Sequence, residues 1–334
     1  MIRINSLKLI TIKNTINNLV ATTIIFFLTA CGGGSSSGGG GLITTAPAAP
    51  AAPVVTLDNM VGLKTFAGHS AVFSTADNDT TLWQNKSNQT VATLAVNNNS
   101  DTVRLIINQQ LTNNTILDLD VQFSQANYLY TVNGVNYLGG TLPNDNIMVL
   151  AYIANDAVLA GGVGSLEYVT GGLWLKAGDI QPKGQGGFIA AGFNTQSNEM
   201  PTTGSAVYNA MTDFLLFTSD TLYEGVAAGS FNVAFNTGVM TGDFPSAKLY
   251  DLSADAVTYM GTFGGPSFSG NITTGQSNFS GTAITNGANG LTGTFNGSFY
   301  GPNAEEIGGV YSMSNGYSAQ SQVVNITGGF VGKK

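Results

Sequence analysis

The chain has 334 residues, only 9% of them charged, with a formal net charge of -8 and a pI near 4.4. Such an acidic chain lacks the basic surface that phosphate binding needs, which excludes nucleic acid as a partner. Gly, Asn, Thr and Ser replace most of the Lys, Glu and Arg that usually cover helices, and these residues favour strands and turns. The composition therefore predicts an all-β protein.

Residues 1–30 have the organisation of a lipoprotein signal peptide. A weakly basic leader precedes the apolar run 19–30, whose 12 residues are too few to span a membrane. The run ends in Leu28-Thr-Ala-Cys31, which resembles a bacterial lipobox, so Cys31 is the predicted lipidation site. Cys31 is the only cysteine and has no disulfide partner. The alternative is a free thiol that follows a signal peptide by chance.

Residues 31–53 are predicted to be a tether. The Gly/Ser run 32–41 is flexible, and the Ala-Pro steps within 42–53 favour a stiffer, extended spacer. A triacylated cysteine anchors stably, because stable membrane binding needs more than one acyl chain. Gly32, in place of Asp, favours export to the outer membrane.

Residues 54–160 are predicted to form a small β-rich domain. Apolar residues alternate with polar ones over Leu117–Phe123 and over Val103–Ile107, as in half-buried antiparallel strands. Asn133-Gly134 is the strongest hairpin signal in this part of the chain. No stretch of it has a sustained helical stripe.

His69 is the only histidine of the chain. It is a candidate axial ligand of haem iron, because one histidine is enough for that role. The alternative is a hydrogen-bonded loop histidine. Tyr128 and Tyr130 could likewise ligate or stack on a porphyrin, although tyrosines at alternate strand positions usually serve packing.

Residues 161–334 are rich in glycine and aromatic residues at strand spacing and are predicted to form the barrel. Thr237-Gly238 predicts a hairpin, and Pro201 marks a junction between strands. In the stretch 291–301, Leu, Gly and Phe share one face of a strand, while Thr, Asn, Ser and Tyr share the other.

The loop 286–290 predicts the register of the hairpin around it. If it joins two strands symmetrically, Phe279 lies opposite Gly297 and Phe295 opposite Gly281, so that each ring covers a glycine. A small barrel fills its interior with side chains, so we expect a packed interior rather than a ligand cavity. Glu305 and Glu306 could be read as paired carboxylates, but adjacent strand residues point to opposite faces, which favours a structural role.

Four segments of the C-terminal part occur in a characteristic order: Gly172-Leu-Trp174, 200–208 (MPTTGSAVY), 297–305 (GSFYGPNAE) and Gly308-Gly-Val310. Together they resemble the C-terminal barrel domain of transferrin-binding protein B-like surface lipoproteins. The resemblance implies an eight-stranded antiparallel β-barrel beside a β-rich handle domain, on an outer-membrane lipoprotein that faces the cell exterior. The chain has room for one lobe, as in the smaller relatives, whereas the transferrin receptors of this type have two.

The resemblance implies a binding function in nutrient acquisition. Expected ligands are a host iron carrier, haem as a cargo, or another host protein, often with a TonB-dependent outer-membrane receptor as a partner; no resident cofactor or metal is expected. The alternative is a structural or adhesive surface lipoprotein without a small-molecule ligand. An enzyme is not expected, because one histidine, no usable cysteine and no phosphate-binding glycine loop leave no catalytic constellation.

Overall fold

The protein is described by a computed structural model that covers fifteen segments of the chain. They are residues 55–57, 60–75, 83–97, 102–110, 116–124, 129–132, 135–141, 147–152, 166–177, 184–218, 222–251, 258–273, 275–285, 290–315 and 324–334. These residues form two antiparallel β-sheets and one short 3-10 turn, Pro302–Ala304. None of them forms a helix long and apolar enough to cross a membrane.

The N-terminal sheet, which we call the handle, has nine strands in the order β4-β3-β2-β1-β9-β8-β7-β6-β5. Its strands are β1 (Leu63–Thr75), β2 (Trp83–Asn97), β3 (Thr102–Gln110), β4 (Ile116–Ser124), β5 (Leu129–Val132), β6 (Val135–Thr141), β7 (Ile147–Tyr152), β8 (Val169–Ala177) and β9 (Gly184–Gly192). Two predicted strands are present as β3 and β4. The Asn133-Gly134 hairpin is confirmed by its flanks, because Val132 pairs with Val135.

The C-terminal sheet contains a closed barrel of eight antiparallel strands, as the family resemblance implies. Its strands are β10 (Ser205–Phe217), β11 (Leu222–Ala234), β12 (Val239–Asp243), β13 (Ser246–Asp251), β14 (Thr258–Gly264), β15 (Pro266–Ile272), β16 (Asn278–Thr285), β17 (Thr292–Tyr300), β18 (Glu306–Ser314) and β19 (Asn325–Lys333).

The ten strands of this sheet correspond to eight barrel strands, because two of the eight are each interrupted once and are therefore counted as two. Strands β12 and β13 are one strand interrupted at Phe244-Pro245, and both pair with β11. Strands β14 and β15 are one strand interrupted at Gly265. A proline cannot donate to a strand ladder and is therefore tolerated at such a break. Each strand pairs with the next along the chain, and β19 pairs with β10 to close the barrel.

The sequence-based boundary between the two domains is wrong at one point. Residues 161–204 were expected in the barrel, but β8 and β9 pair within the handle sheet, and the barrel begins at Ser205. The glycine-rich pattern of β8 and β9 is the same as that of barrel strands. Strand β9, however, pairs with β1, which lies more than a hundred residues earlier in the chain, so local pattern could not reveal that these strands belong to the handle sheet.

The barrel interior is packed with aromatic side chains, as expected. Phe231, Phe268 and Phe330 meet with ring centroids 4.7–5.5 Å apart, and Phe279 and Phe299 extend the cluster at 5.1 Å. All five are 3% exposed or less. Contacts between aromatic rings at such distances add to the free energy gained by burying their apolar area.

The handle covers the outer face of strands β17–β19. Strand β18 is therefore buried on both faces: Ile307 and Tyr311 point into the barrel core, and Val310 packs in a cluster with Phe188 and Leu173 of the handle. Gly308 allows this close approach, because a Cβ atom there would lie 2.7 Å from Val169 of β8. The two sheets thus share an apolar interface.

Candidate functional site: the handle–barrel interface and the two ends of the barrel

His69 lies in the interface between handle and barrel. It is on β1, and both of its ring nitrogens contact barrel strand β17. Nε2 is 2.7 Å from Ser298 Oγ, and Nδ1 is 3.1 Å from the side-chain nitrogen of Asn296. Ser298 in turn donates its hydroxyl proton to Asn278 Oδ1 of β16 at 2.7 Å. Four polar side chains thus form one chain of hydrogen bonds across the interface.

The directions of these hydrogen bonds determine the protonation state of His69. Because Ser298 donates to Asn278, its oxygen accepts from His69 Nε2–H. Because Asn296 donates an amide N–H, Nδ1 must be an unprotonated acceptor. The ring is therefore neutral, and burial lowers its pKa to about 4. A haem iron would have to displace Ser298 or Asn296 from one of the two nitrogens.

Glu306 fastens the handle to the barrel through backbone amides. Its carboxylate is fully buried and accepts three N–H groups from the segment that leads into β8. Glu167 N–H donates to Oε1 at 2.7 Å, and Tyr168 and Val169 donate to Oε2 at 2.8 and 3.0 Å. A carboxylate that accepts from backbone amides makes strong, charge-assisted hydrogen bonds. Removing it would leave three buried donors without a partner.

Lys333 supplies the positive charge next to Glu306. Its Nζ lies 3.6 Å from Glu306 Oε1 and donates to Glu167 Oε1 at 2.8 Å. Burial raises the pKa of Glu306, and this effect exceeds the opposing effects of the three amides and of Lys333. Burial lowers the pKa of Lys333, but the hydrogen bond to Glu167 and the two carboxylate charges outweigh it, so the pKa of Lys333 is raised.

The β17–β18 connection next to Glu306 has a strained backbone. Asn303 and Ala304 both have positive φ values, 54° and 56°, in a region that residues other than glycine rarely occupy. Three side chains hold this turn. Tyr208 donates its hydroxyl to the carbonyl of buried Ala304, Lys334 donates from Nζ to the carbonyl of Asn303, and Thr195 donates its hydroxyl to the carbonyl of Gly301. Such strain persists only where the surrounding structure holds it in place.

The barrel has two different ends. The strand ends that flank the connections 218–221, 252–257, 286–291 and 315–324 lie at one end, which we call the loop end. Those that flank the connections 235–238, 273–277 and 301–305 lie at the other, which we call the turn end. Leu57 donates its backbone N–H to Glu167, which neighbours Glu306. The first described residues of the chain therefore lie beside the turn end.

The structure separates the residues that the sequence singled out. Cys31, the signal peptide and the tether lie outside the described residues, as does Tyr128. Tyr130 lies on β5, where it pairs with Tyr137. Glu305 and Glu306 do not form a paired carboxylate site, because Glu306 is buried against the handle. Within the described part of the chain, no group of three or more His, Cys, Asp or Glu residues could hold a metal ion.

The partners of His69 and Glu306 were missed by sequence reasoning. Ser298, Asn278 and Asn296 read as an ordinary polar strand face, and the amides of residues 167–169 carry no side-chain signal. Only the hydroxyl and amide pattern of β17 pointed to them, and that pattern is equally typical of a solvent-exposed face.

One family model matches the barrel. It is described as "C-lobe and N-lobe beta barrels of Tf-binding protein B", and it matches residues 200–334, from just before β10 to the last residue of the chain. Residues 200–334 are thus similar to the barrels of transferrin-binding protein B. The matched residues contain all ten strands of the C-terminal sheet, and the match does not extend to the handle.

Solved structures with similarity to most of the chain include transferrin- and lactoferrin-binding proteins. Intact Ap-TbpB, with its N and C lobes, is 12% identical with a TM-score of 0.43, covering 84% of this chain and 77% of that chain. A mutant of transferrin-binding protein B from Haemophilus parasuis Hp5 is 14% identical with a TM-score of 0.43, covering 82% and 76%. The N-lobe domain of lactoferrin binding protein B of Moraxella bovis is 14% identical with a TM-score of 0.32, covering 82% and 99%. A comparison with curated proteins finds no match.

Proposed function

We propose that this protein is a lipoprotein anchored at Cys31 in the outer membrane, facing the cell exterior, that captures a host-derived ligand for nutrient acquisition. The packed interior of the barrel carries the proposal. Because buried aromatic rings occupy that interior, a ligand has to bind on the outer surface and the loops. Loops on a rigid β scaffold suit the binding of a macromolecule.

Two further observations support a host protein as the ligand. The family whose model matches the barrel is named for transferrin binding. In addition, the first described residues of the chain lie beside the turn end. An anchor at Cys31 would therefore leave the loop end free to meet a soluble partner.

Haem is a second proposed cargo, and a TonB-dependent receptor is the proposed partner for passing on iron or haem. His69 is the candidate haem ligand, although the interface already occupies both of its ring nitrogens. Titration with hemin tests this directly. A sharp Soret shift that is lost in His69→Ala would support ligation by His69, and a shift that survives would place haem elsewhere.

Serum capture tests the main proposal. The protein without residues 1–30, immobilised through its N-terminal tether, is exposed to serum, and the retained proteins are identified by mass spectrometry. We expect one host protein to be retained in a saturable manner. If serum leaves nothing bound and hemin gives no shift, the adhesive alternative is favoured instead.

The anchor and its orientation need a separate measurement in cells. Incorporation of labelled palmitate should occur in the wild type and be lost in Cys31→Ala. Protease added to intact cells should cleave a surface-facing protein but spare a periplasmic one. Complete protection of the wild type in intact cells, with cleavage only after lysis, would contradict exposure on the cell surface.

A further inference from the structure

A β-bulge on the outside of the barrel changes the direction of two large side chains. In the β13–β14 pair, Leu249 is opposite Gly261 but Tyr250 is opposite Tyr259, so Met260 has no residue opposite it. Gly261 has a φ of 116°, a value that few residues other than glycine adopt. The bulge interrupts the normal in–out alternation of the strand. Bulges occur preferentially where a side chain has to be re-aimed.

The bulge leaves Tyr259 and Met260 exposed side by side. Each is 54% exposed, although a regular strand would turn one of them inward. Tyr259 is supported from one side by Tyr250, which is 4% exposed and lies with its ring centroid 5.7 Å away. The ring of Tyr259 is thus held in place at one side and accessible at the other.

No other pair of adjacent large apolar side chains is exposed on the described strands of the barrel. The remaining exposed ones, Val207, Val239 and Ile284, lie singly on three different strands. Single exposed apolar residues are normal on protein surfaces. A contiguous Tyr–Met pair is different, because both residue types are enriched at protein interfaces and tyrosine is a frequent hot spot.

The charge next to the pair is negative. Asp251 of β13 lies opposite Thr258, the residue before Tyr259, while Lys248 lies opposite Thr262, farther along the strand. The whole chain has the same sign, with a net charge of -8. Complementary potentials steer and orient protein partners, so this surface fits a partner with basic residues around an apolar recess.

We propose that Tyr259 and Met260 anchor a host protein that presents an apolar recess surrounded by basic residues. This proposal rests on the proposed capture of a host protein and adds the place of contact. The pair begins β14 directly after the connection 252–257, so it lies at the loop end. That is the end opposite the one beside which Leu57 lies.

A paired set of variants tests the anchor. The protein without residues 1–30 is immobilised through its tether and exposed to bovine and human serum and to purified transferrin and lactoferrin. The dissociation constant of each identified partner is then measured for the wild type and for the double variant Tyr259→Ala/Met260→Ala. The control is Val239→Ala/Ile284→Ala, which removes two exposed apolar residues from β12 and β16.

We expect the Tyr259/Met260 variant to bind at least ten-fold more weakly and the control to stay within two-fold of the wild type. Binding by the wild type should weaken as salt rises from 50 to 300 mM. Circular dichroism should show both variants folded, because all four side chains are exposed. If a partner binds both variants as tightly as the wild type, the anchor is wrong while capture itself stands. If the wild type retains none of these proteins, the proposed function fails, and the anchor fails with it.

Discussion

Phe279 lies directly opposite Gly297 on the neighbouring strand, with its ring over the glycine. A Cβ atom at Gly297 would lie 2.5 Å from the ring atoms Cε2 and Cζ of Phe279. The same relationship recurs around the barrel between directly opposed residues. The further pairs are Phe295 and Gly281, Phe231 and Gly242, Phe214 and Gly225, Phe330 and Gly309, and Tyr311 and Gly328. Each glycine leaves room for an inward-pointing ring, and this fills a narrow barrel.

Replacing Gly297 with alanine should destabilise the barrel. The new methyl group would clash with Phe279 and with the carbonyl oxygen of Gly308, which lies 2.4 Å from the Cβ position. Overpacking of this kind costs about 1–3 kcal/mol. Urea unfolding measures the loss. The control is Thr282→Ala on β16, an exposed position, which should change the free energy of unfolding by about 0.5 kcal/mol or less.

Glu306→Ala should lower the free energy of unfolding more than any substitution of an exposed residue. It removes the acceptor of three buried N–H groups and the carboxylate charge 3.6 Å from Lys333 Nζ. Breaking a buried, hydrogen-bonded charge site costs about 3–5 kcal/mol. We expect the handle to lose protection against amide exchange at residues 167–169 before the barrel core does.

Glu305→Ala is the matched control for Glu306. Glu305 is the adjacent carboxylate and is only partly buried, so its removal should cost about 1 kcal/mol or less. Equal losses from the two variants would mean that the three backbone amides do not depend on Glu306.

His69 should make the stability of the protein fall in mild acid. The pKa of its ring is about 4 in the folded chain against about 6.5 when unfolded, so the unfolded state takes up the proton first. The stabilisation that depends on neutral His69 is complete above pH 6.5 and is lost as the pH falls toward 4. The free energy of unfolding decreases over this range by a total of about 3 kcal/mol. The check is the free energy of unfolding between pH 7 and 4 for the wild type and for His69→Gln. The difference between the two proteins removes the effects of all other groups. A difference that does not change with pH would contradict the buried, neutral histidine.

Ser70→Ala should leave stability unchanged or raise it slightly. Ser70 is 1% exposed, and its hydroxyl has no hydrogen-bond partner among the residues that the structure describes. Replacing this hydroxyl with hydrogen removes a desolvated polar atom without breaking a hydrogen bond. The contrast is Thr212→Val in the barrel. Thr212 Oγ1 is 2.8 Å from Tyr311 Oη and donates to the Gly329 carbonyl at 2.8 Å, so its loss should cost about 1–2 kcal/mol. Thermal unfolding of both variants decides the order.

The sequence was sufficient for features that depend on neighbouring parts of the chain. The register of Phe279 with Gly297 followed from the alternation on either side of the loop 286–290. The hairpin at Thr237-Gly238 followed from its turn residues, and Gly238 has a φ of 70° there. These relationships are local, so strand periodicity and turn chemistry determine them.

Features that depend on distant parts of the chain could not be predicted. The three donors to Glu306 are backbone amides more than a hundred residues away. Ser298 looked like part of an exposed hydroxyl face until the handle covered it. The bulge at Met260 depends on how β14 meets β13, and the two strands have no alternation that marks it.

Immobilisation of the protein in two orientations tests the central claim, that a host protein is captured at the loop end. One form, with Cys31→Ser and Ser36→Cys, is attached through its tether. The other, with Cys31→Ser and Thr292→Cys, is attached at the loop end, where β17 begins with an exposed residue. Both are exposed to the same serum, and the amount of each retained protein is measured. The account predicts saturable retention by the tether-attached form and at least a ten-fold loss in the other. Equal retention in both orientations, or none in either, would contradict it.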